Sequence, residues 1–312
     1  MHIGSALDNS PFLRQLVDHH ADWLDELQSS GRLESVSPPD AQWLQEGLQR
    51  DGLDCALRRF RNREMLRLIW RDLNELAPLW ETLGDLSALA EICLQTSCRY
   101  HGDAMEKQFG VPRDQGGRRQ RLVVLGLGKL GGRELNLSSD IDIIFCFPEH
   151  GQCDGQRGLA NEQFFTKLSR RIIGSLADVT DDGFCFRVDT RLRPFGASGP
   201  LVSSFDALEQ YYQREGRDWE RYALIKARPV AGDMPAGEQL LQILKPFVYR
   251  RYIDFGAIES MREMHASVRQ DALRRDRLDD IKRGPGGIRE IEFLVQSFQL
   301  LRGGREPILQ TP

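Results

Sequence analysis

Hydrophobic positions recur at helical spacing through the first third of the chain. In the segment FLRQLVDHHADWLDELQ, one helical stripe is formed by Leu13, Leu16, Val17 and Leu24. LRRFRNREMLRLIWRDL repeats the same period. The polar, glycine-rich segment GVPRDQGGRRQ, at 110–120, interrupts the pattern. We therefore predict an all-helical N-terminal region, 1–118, that ends at a domain boundary.

Strand-like patterns begin at residue 121. They are RLVVLG (121–126), DIDIIFCF (140–147) and GFCFRVDTRLRPF (183–195). NEQFFTKLSRRIIGSLADV (161–179), between the last two, has helical periodicity. These alternating elements predict an α+β domain with a small sheet over 119–235.

From Ser203 onward the pattern is helical again, and Ser203 with Asp206 fits the polar pair that caps a helix before ALEQYYQ. The last stretch, GGREPILQTP, follows a helical run that nothing closes. We expect a second helical region over 236–312 and expect that it is truncated.

Composition narrows the class of protein. The 312 residues carry a net charge of −4, so no overall basic field favours nucleic-acid binding. No apolar run approaches the roughly 20 residues that a membrane helix needs, and the N-terminus lacks the pattern of a signal peptide. The six cysteines are scattered without metal-ligand spacing. These features predict a cytoplasmic protein that binds neither membrane nor nucleic acid.

Gly126-Leu-Gly128-Lys-Leu-Gly131 is a literal G-x-G-x-x-G motif behind a predicted strand. A dinucleotide-binding crossover would need a full helix next, yet only eight residues separate Gly131 from Asp140. The phosphate loop G-x-x-x-x-G-K-[ST] also fails, because Leu130 follows Lys129. Both common phosphate-binding interpretations of these glycines are excluded.

Acidic side chains follow at strand spacing. Asp140 and Asp142 project from one face of the predicted strand, while Ile141, Ile143 and Phe145 point to the other. Two adjacent carboxylates favour a hard divalent cation such as Mg²⁺, although acids that simply face water remain the alternative.

A third acid lies in CFRVDTRLRPF. Period-two alternation would place it on one strand face with three arginines, the set being Arg187, Asp189, Arg191 and Arg193. Arginines grip phosphate oxygens in bidentate fashion, so this layout suits a metal and phosphate site. A surface ladder of ion pairs is the alternative.

The glycine pair, the short helix, the D-x-D strand and the later single acid together resemble the polymerase-β-type nucleotidyltransferase fold, in which a small mixed sheet is flanked by helices. The match is closer to one family within it. GLGKLGGRELNLSSDIDIIF, FRVDTRLRPFGASGPLV, YYQREGRDWERYALIKARPVAGD and GPGGIREIEFLVQSFQLLRGGREP resemble bifunctional glutamine synthetase adenylyltransferase/adenylyl-removing enzymes. The position of the motif near residue 130 favours the N-terminal, adenylyl-removing half.

The resemblance implies phosphorolysis of AMP-O-tyrosine on glutamine synthetase, with phosphate and ADP or ATP as small ligands. It implies a two-metal Mg²⁺ site, with Mn²⁺ as a substitute, and a PII-type signal protein as a partner of the full-length protein. ATP-dependent adenylylation by the same family, or a non-catalytic module that binds glutamine synthetase or PII, remains the alternative.

The resemblance also assigns residues. The catalytic and metal-binding acids are Asp140, Asp142 and Asp189. The nucleotide- or phosphate-binding residues are Gly128, Lys129, Gly131, Ser139, Arg191, Arg193 and Lys226. Lys129 stands where the family pattern has a second glycine or serine. For the aromatic residues of YYQREGRDWERY, helical spacing favours a place in the core over a role in stacking adenine.

Overall fold

The structure is a computed structural model that describes residues 3–156, 158–250, 266, 270, 280–282, 284 and 286–311. Most of the predicted helical region between 251 and 279 therefore lies outside the described residues. The helices before the sheet are α1 (Ile3–Asn9), α2 (Pro11–His19), α3 (Ala21–Ser29), α4 (Ala41–Asp51), α5 (Leu53–Leu73) and α6 (Leu79–Phe109). The later helices are α7 (Gly128–Gly131), α8 (Asn161–Ala177), α9 (Phe205–Arg214), α10 (Asp218–Ile225), α11 (Met234–Val248) and α12 (Ile288–Arg302).

The strands are short. They are β1 (Pro112–Asp114), β2 (Val123–Gly126), β3 (Ile141–Phe147), β4 (Gly151–Cys153), β5 (Val188–Asp189), β6 (Val202–Ser204) and β7 (Arg228–Gly232). β1 and β4 form a separate antiparallel pair. None of the described helices combines the length and the apolar character needed to cross a membrane.

The main sheet is built around β3. It pairs antiparallel with β2, which pairs antiparallel with β7 on its other side. On the edge opposite to β2, β3 pairs parallel with β5 at its beginning and with β6 at its end. The antiparallel β2–β3 pair confirms that the glycine motif does not open a dinucleotide-binding crossover, because that unit requires parallel strands.

Successive residues of β3 alternate between two hydrophobic cores. Ile143 and Phe145 face the core that contains α5, α6 and α8. Ile144 and Cys146 face the core formed with α9, α10 and α11. Period-two geometry puts Asp142 on the same face as Ile144, so its side chain projects toward the α9–α11 side of the sheet. The predicted α+β class, with a small mixed sheet between helices, is confirmed.

Several sequence predictions of elements are confirmed. The helix expected over 161–179 is α8, and the strands expected over 121–126 and 140–147 are β2 and β3. The sequence does not mark the break at His20, where α2 ends and α3 begins. The boundary that we predict at 118/119 stays a prediction.

The predicted strand over 183–195 is wrong beyond β5. Val188 and Asp189 alone form the strand, and the arginines that follow lie in turns. The Asp189 carboxylate accepts the backbone N–H of Arg191 at 2.8 Å, and the backbone N–H of Arg193 reaches Thr190 O at 3.3 Å. These local bonds replace a strand ladder, as side chains of aspartate commonly do. Period-two alternation therefore does not relate the arginines after Asp189.

Two predictions after residue 203 also need correction. The cap of α9 is Ser204, whose hydroxyl accepts the Ala207 N–H at 3.2 Å, and not Ser203. The expectation of helix throughout missed β7, which lies at the edge of the sheet and contains Pro229. Proline lowers the sequence signal for a strand, yet at an edge its missing N–H is tolerated.

Candidate active site

A cavity of about 870 Å³ opens beside the start of β3. One wall is formed by α7 and the segment up to Asp140, and the opposite wall by α10, residues 281–282 and α12. The predicted site residues that line it are Gly128, Lys129, Ser139, Asp140, Asp142 and Lys226. The fold thus gathers six of the ten predicted residues around one space.

Gly128 lies directly against Asp142. It has φ +51, and a Cβ at this position would sit 2.8 Å from Asp142 Oδ2. A side chain here would therefore meet both an unfavourable backbone conformation and a steric clash. The first glycine of α7 lets the backbone approach the carboxylate closely.

Asp142 and Asp189 are partners across the parallel β3–β5 pair. Burial raises the pKa of the Asp142 carboxyl to about 6, with further contributions from the negative charges of Asp189 and Asp140. None of the described side chains donates a hydrogen bond to the Asp142 carboxylate. Negative charge is therefore concentrated at this point, and none of the described residues places a cation in contact with the Asp142 carboxylate.

The other two acids are held by arginines. Arg191 Nε lies 3.0 and 2.9 Å from the two carboxylate oxygens of Asp189, and these bonds are the main reason that the pKa of Asp189 is lowered. Arg187 Nε lies 2.5 Å from Asp140 Oδ1 and its Nη2 lies 2.6 Å from Ser138 O. Each arginine occupies oxygens that a metal ion would otherwise use.

Two lysines of the cavity differ in their surroundings. Lys226 Nζ lies 2.8 Å from both Glu134 Oε2 and Glu292 Oε1. Burial opposes its charge, but these two hydrogen bonds outweigh burial and raise the pKa of Lys226. Lys129 has no hydrogen bond or ion pair from its ammonium group among the described residues, and burial, then the charge of Lys282, lowers its pKa. Lys129 is thus a cation available to an anionic ligand.

The residues can be tested against the divalent metal that the fold family implies. Within the described residues, no three Cys, His, Asp or Glu side chains gather around one point as metal ligands. The donor chemistry nevertheless fits, because Mg²⁺ prefers carboxylate oxygens and the Asp142 carboxylate, which accepts no hydrogen bond from the described side chains, lies next to two further carboxylates. Arg191 covers both carboxylate oxygens of Asp189, whereas Arg187 contacts only Oδ1 of Asp140, so binding at all three acids requires at least the Arg191 contact to open.

The remaining predicted residues lie outside the cavity lining. Gly131 packs against the chain at Lys226, where a Cβ would come within 1.9 Å of the carbonyl oxygen. Arg193 donates to backbone carbonyl groups, including Thr190 O at 2.8 Å and Ala197 O at 3.1 Å, and so ties the loop after β5 together. Asp189 and Arg191 adjoin the cavity through Asp142.

Among the aromatic residues, Tyr212 is buried, and Tyr222 is nearly buried but also lines the cavity. The Tyr222 ring stacks on Phe293 with centroids 5.0 Å apart, and its hydroxyl lies 2.8 Å from Ser297 Oγ. The expectation of a core position thus holds for Tyr212 and Tyr222, whereas Tyr211 is half-buried and Trp219 is 39% exposed.

Sequence reasoning did not assign a site role to several cavity residues. These are Glu134, Asn136, Lys282 and Gln296. The polar run RELNLSSD before β3 was a usable signal for the first two. Lys282 and Gln296 reach the cavity only through the packing of residues 281–282 and α12, which no local pattern encodes.

Comparison with known proteins identifies the family to which the chain is similar. Residues 1–243 match the profile of the glutamate–ammonia ligase adenylyltransferase family, and residues 262–309 match that of PII-uridylyltransferase. A bifunctional glutamine synthetase adenylyltransferase/adenylyl-removing enzyme of Pseudomonas aeruginosa is 52% identical over 311 residues, which is 96% of this chain and 32% of the relative.

Proteins of the same name show similar identity. The one from Thioalkalivibrio sulfidiphilus is 57% identical over 255 residues, 81% of this chain and 26% of the relative. The one from Nitrosococcus oceani is 54% identical over 293 residues, 91% of this chain and 30% of the relative. The chain spans about a third of the length of these relatives. With its match over 1–243, the chain belongs to the glutamate–ammonia ligase adenylyltransferase family.

Proposed function

We propose that this chain is an adenylyl-removing nucleotidyltransferase domain that transfers AMP from a modified tyrosine of glutamine synthetase to inorganic phosphate. The observation that carries the proposal is one large cavity lined by Asp140, Asp142 and Lys129, with Asp189 beside Asp142 and with no hydrogen bond or ion pair from the Lys129 ammonium group to the described residues. The bifunctional relatives are named for both adding and removing the adenylyl group. The site in the N-terminal half is proposed to be the removing one.

The reaction exchanges one bond to phosphorus for another. An oxygen of phosphate attacks the phosphorus of AMP-O-tyrosine, the bond to the phenolic oxygen breaks, and ADP and tyrosine result. The phenolate has a pKa of about 10 and is therefore a good leaving group. Because the nucleophile is already anionic, the main obstacle is the approach of one anion to another, which cationic groups relieve.

Asp140, Asp142 and Asp189 are the residues that would hold Mg²⁺, or Mn²⁺ as a substitute. When bound, a pair of such ions neutralises the entering and leaving oxygens. Asp142 is the residue best placed to begin binding, because its carboxylate has no protein partner among the described residues. Release of Asp189 from Arg191 would then free that arginine for phosphate oxygens.

The remaining assignments concern phosphate and nucleotide. Lys129 is proposed to attract the phosphate groups, and Gly128 to let backbone amides approach them. Lys226 and Ser139 both line the cavity, from opposite walls, and are proposed to contact the nucleotide. Gly131 and Arg193 act through packing and through the loop after β5.

Glutamine synthetase carrying AMP is the proposed substrate protein, as the relatives' name suggests. A PII-type signal protein, which the sequence resemblance implies, is proposed to act on the full-length protein. We propose a cytoplasmic location, where both the phosphate and the nucleotide would be present.

Incubating the chain with AMP-modified glutamine synthetase, phosphate and Mg²⁺ tests the proposal, with ADP as the measured product. Asp142→Asn should lower the rate by about 10²–10³-fold, as expected when stabilisation of transition-state charge is lost. AMP attachment that requires ATP, without ADP release from phosphate, would instead establish the adenylylating alternative. Turnover that Asp142→Asn leaves unchanged would show that the acids are not catalytic.

A further inference from the structure

A second cavity, of about 340 Å³, lies between the N-terminal helices and α5. Its apolar wall contains Phe12, Met65, Ile69 and Leu137. Asn9 and Ser10 provide polar groups at the turn between α1 and α2. Arg61 contributes the positive charge. The cavity therefore combines an apolar lining with a cationic group.

The neighbouring arginines of α5 show what is unusual about Arg61. Four of them are fully buried: Arg58, Arg63, Arg67 and Arg71. Each is paired with acidic side chains, with backbone carbonyl groups, or with both. The half-exposed Arg59 pairs with Asp51 and Asp182 at 3.3 and 3.6 Å. Arg61, in contrast, makes no ion pair with any described acid.

The guanidinium of Arg61 has few other partners. It donates one hydrogen bond, from Nη1 to Asn62 Oδ1 at 2.9 Å, and its buried Nε has no partner. Phe12 and Phe184 flank it with ring centroids 5.5 and 5.9 Å from Cζ. Asp72 also lines the cavity, but eleven residues of helix separate the two positions by about 16 Å. Arg61 is only partly exposed, and a cation withdrawn from water is costly without a compensating anion, which the described residues do not supply, so this group is set up to receive one.

We propose that this second cavity binds a small organic carboxylate with a short apolar chain. The carboxylate would accept hydrogen bonds from the Arg61 guanidinium, including the unused Nε–H, in the geometry that arginine and carboxylate favour. The chain would lie against Met65, Ile69 and Leu137. An inorganic anion would leave these apolar side chains without contacts.

The cavity adjoins the segment that carries the candidate active site. Leu137 lies between Asn136 and Ser138, which line the larger cavity. The Phe184 ring contacts both Arg61 and Arg187. The Cζ of Arg187 lies 5.7 Å from the ring centroid, and its Nε donates a hydrogen bond to Asp140. A ligand in the second cavity would thus contact Leu137, in the segment that leads to Asp140, and Arg61, which shares the Phe184 ring with Arg187.

Butyrate and the isosteric, uncharged butyramide are suitable probes, used at equal concentration and with NaCl to match ionic strength. The readout is the methyl NMR signal of Met65 in the 312-residue chain labelled at its methionine methyl groups, with Met105 and Met234 as internal references. Butyrate should shift the Met65 signal saturably, with a dissociation constant on the order of 1 mM for so small a ligand. Butyramide should not saturate the site in that range.

Arg61→Gln should weaken butyrate binding by about tenfold or more. Arg59→Gln is the matched control, because Arg59 lies two residues earlier on α5 and pairs with Asp51 and Asp182, so this variant should bind butyrate normally. Arg61→Gln removes an unbalanced charge, so its folding is not expected to suffer, and its thermal midpoint checks this. Leu137→Trp provides a second test by filling the cavity without changing Arg61. A non-saturable Met65 shift, equal binding of butyramide, or full binding by Arg61→Gln would overturn the proposal.

Discussion

Helix α5 and the candidate active site both remove several charged groups from water, but they balance them differently. On α5, the fully buried Glu64 receives Arg63 at 3.0 Å and Arg67 at 2.6 Å, and Arg67 also reaches Asp85. In the active-site cavity, Asp142 and Lys129 have no partner among the described residues. A charge that other residues of the fold neutralise supports the structure, whereas a charge without such a partner is available to a ligand.

The physical basis of this difference is desolvation. A buried ion is tolerable when opposite charge and hydrogen bonds replace its hydration, which is the arrangement around Glu64. Burial, and then the negative charges of Asp189 and Asp140, raise the pKa of Asp142, because its ionised form lacks such compensation. Such incomplete balance is characteristic of functional sites, where the missing charge belongs to a substrate or cofactor.

Breaking the complete network should have the largest effect on stability. Arg67→Met leaves Glu64 and Asp85 each without one partner, and should lower the free energy of unfolding by about 3–5 kcal/mol. Urea unfolding followed by circular dichroism measures this change. Arg59→Met is the matched control on the same helix, since its exposed ion pairs should contribute about 1 kcal/mol or less. Equal losses in both variants would contradict the comparison.

The two cavity lysines should separate stability from function. Lys226→Met removes the ammonium group that both Glu134 and Glu292 contact, and should cost about 1–2 kcal/mol of stability. Lys129→Met removes no hydrogen bond or ion pair with the described residues and should change stability by less than about 0.5 kcal/mol. It should raise the KM for phosphate about tenfold or more, the effect of losing one charged contact.

Thermal unfolding and phosphate titrations of the adenylyl-removing reaction provide both measurements for these variants. An Lys129→Met protein with an unchanged KM for phosphate would remove this residue from the proposed phosphate site. A large loss of stability in Lys129→Met would show that the fold depends on a contact of its ammonium group.

The sequence was sufficient for the parts of the site that lie close together in the chain. The spacing of Asp140 and Asp142 on a strand follows from period two, and the eight residues after Gly131 were enough to exclude a dinucleotide-binding crossover. The parallel pairing of Asp142 with Asp189, in contrast, depends on a long connection through α8. Local pattern predicted that Asp189 belongs to a strand but gave no register.

The sequence was misleading where side-chain hydrogen bonds compete with the strand ladder. The alternation in RVDTRLRP looks like a strand, yet the Asp189 carboxylate accepts a backbone N–H two residues later and ends β5. The pairing of Lys226 with Glu292 was equally inaccessible, because it joins the end of α10 to α12. Such contacts are decided by packing between distant elements.

Asp142→Asn should stabilise the protein in the absence of metal. Because the folded-state pKa of this carboxyl is raised to about 6, the native state loses stability as pH rises from its ordinary range near 4 through 6. The shift corresponds to at most about 3 kcal/mol, which solvent screening reduces, so a gain of about 1 kcal/mol is expected at neutral pH.

Differential scanning calorimetry at neutral pH, with and without Mg²⁺, measures the effect of this substitution. Mg²⁺ should stabilise the wild-type chain and should lose most of its effect on Asp142→Asn. Asp140→Asn is the control, because it breaks the pair with Arg187 and should bring no comparable gain. Destabilisation by Asp142→Asn would contradict the idea that the site holds unbalanced negative charge.

The smallest expected effect concerns His101, which joins α6 to α8 through a 2.6 Å hydrogen bond between Nε2 and Ser175 Oγ. Burial lowers the pKa of His101, Arg171 lowers it further, and Asp54 opposes them. Below about pH 6.5 the unfolded chain therefore binds a proton that the native chain resists, and stability is lost as pH falls toward the folded-state pKa. His101→Gln should flatten the decline in thermal midpoint between about pH 7.5 and 5.5. His20, whose pKa is also lowered by burial, lies at a different contact, so His20→Gln measures the contribution of that second histidine to the same profile. An unchanged pH profile in His101→Gln would mean that the helices tolerate the protonated ring as well as the neutral one.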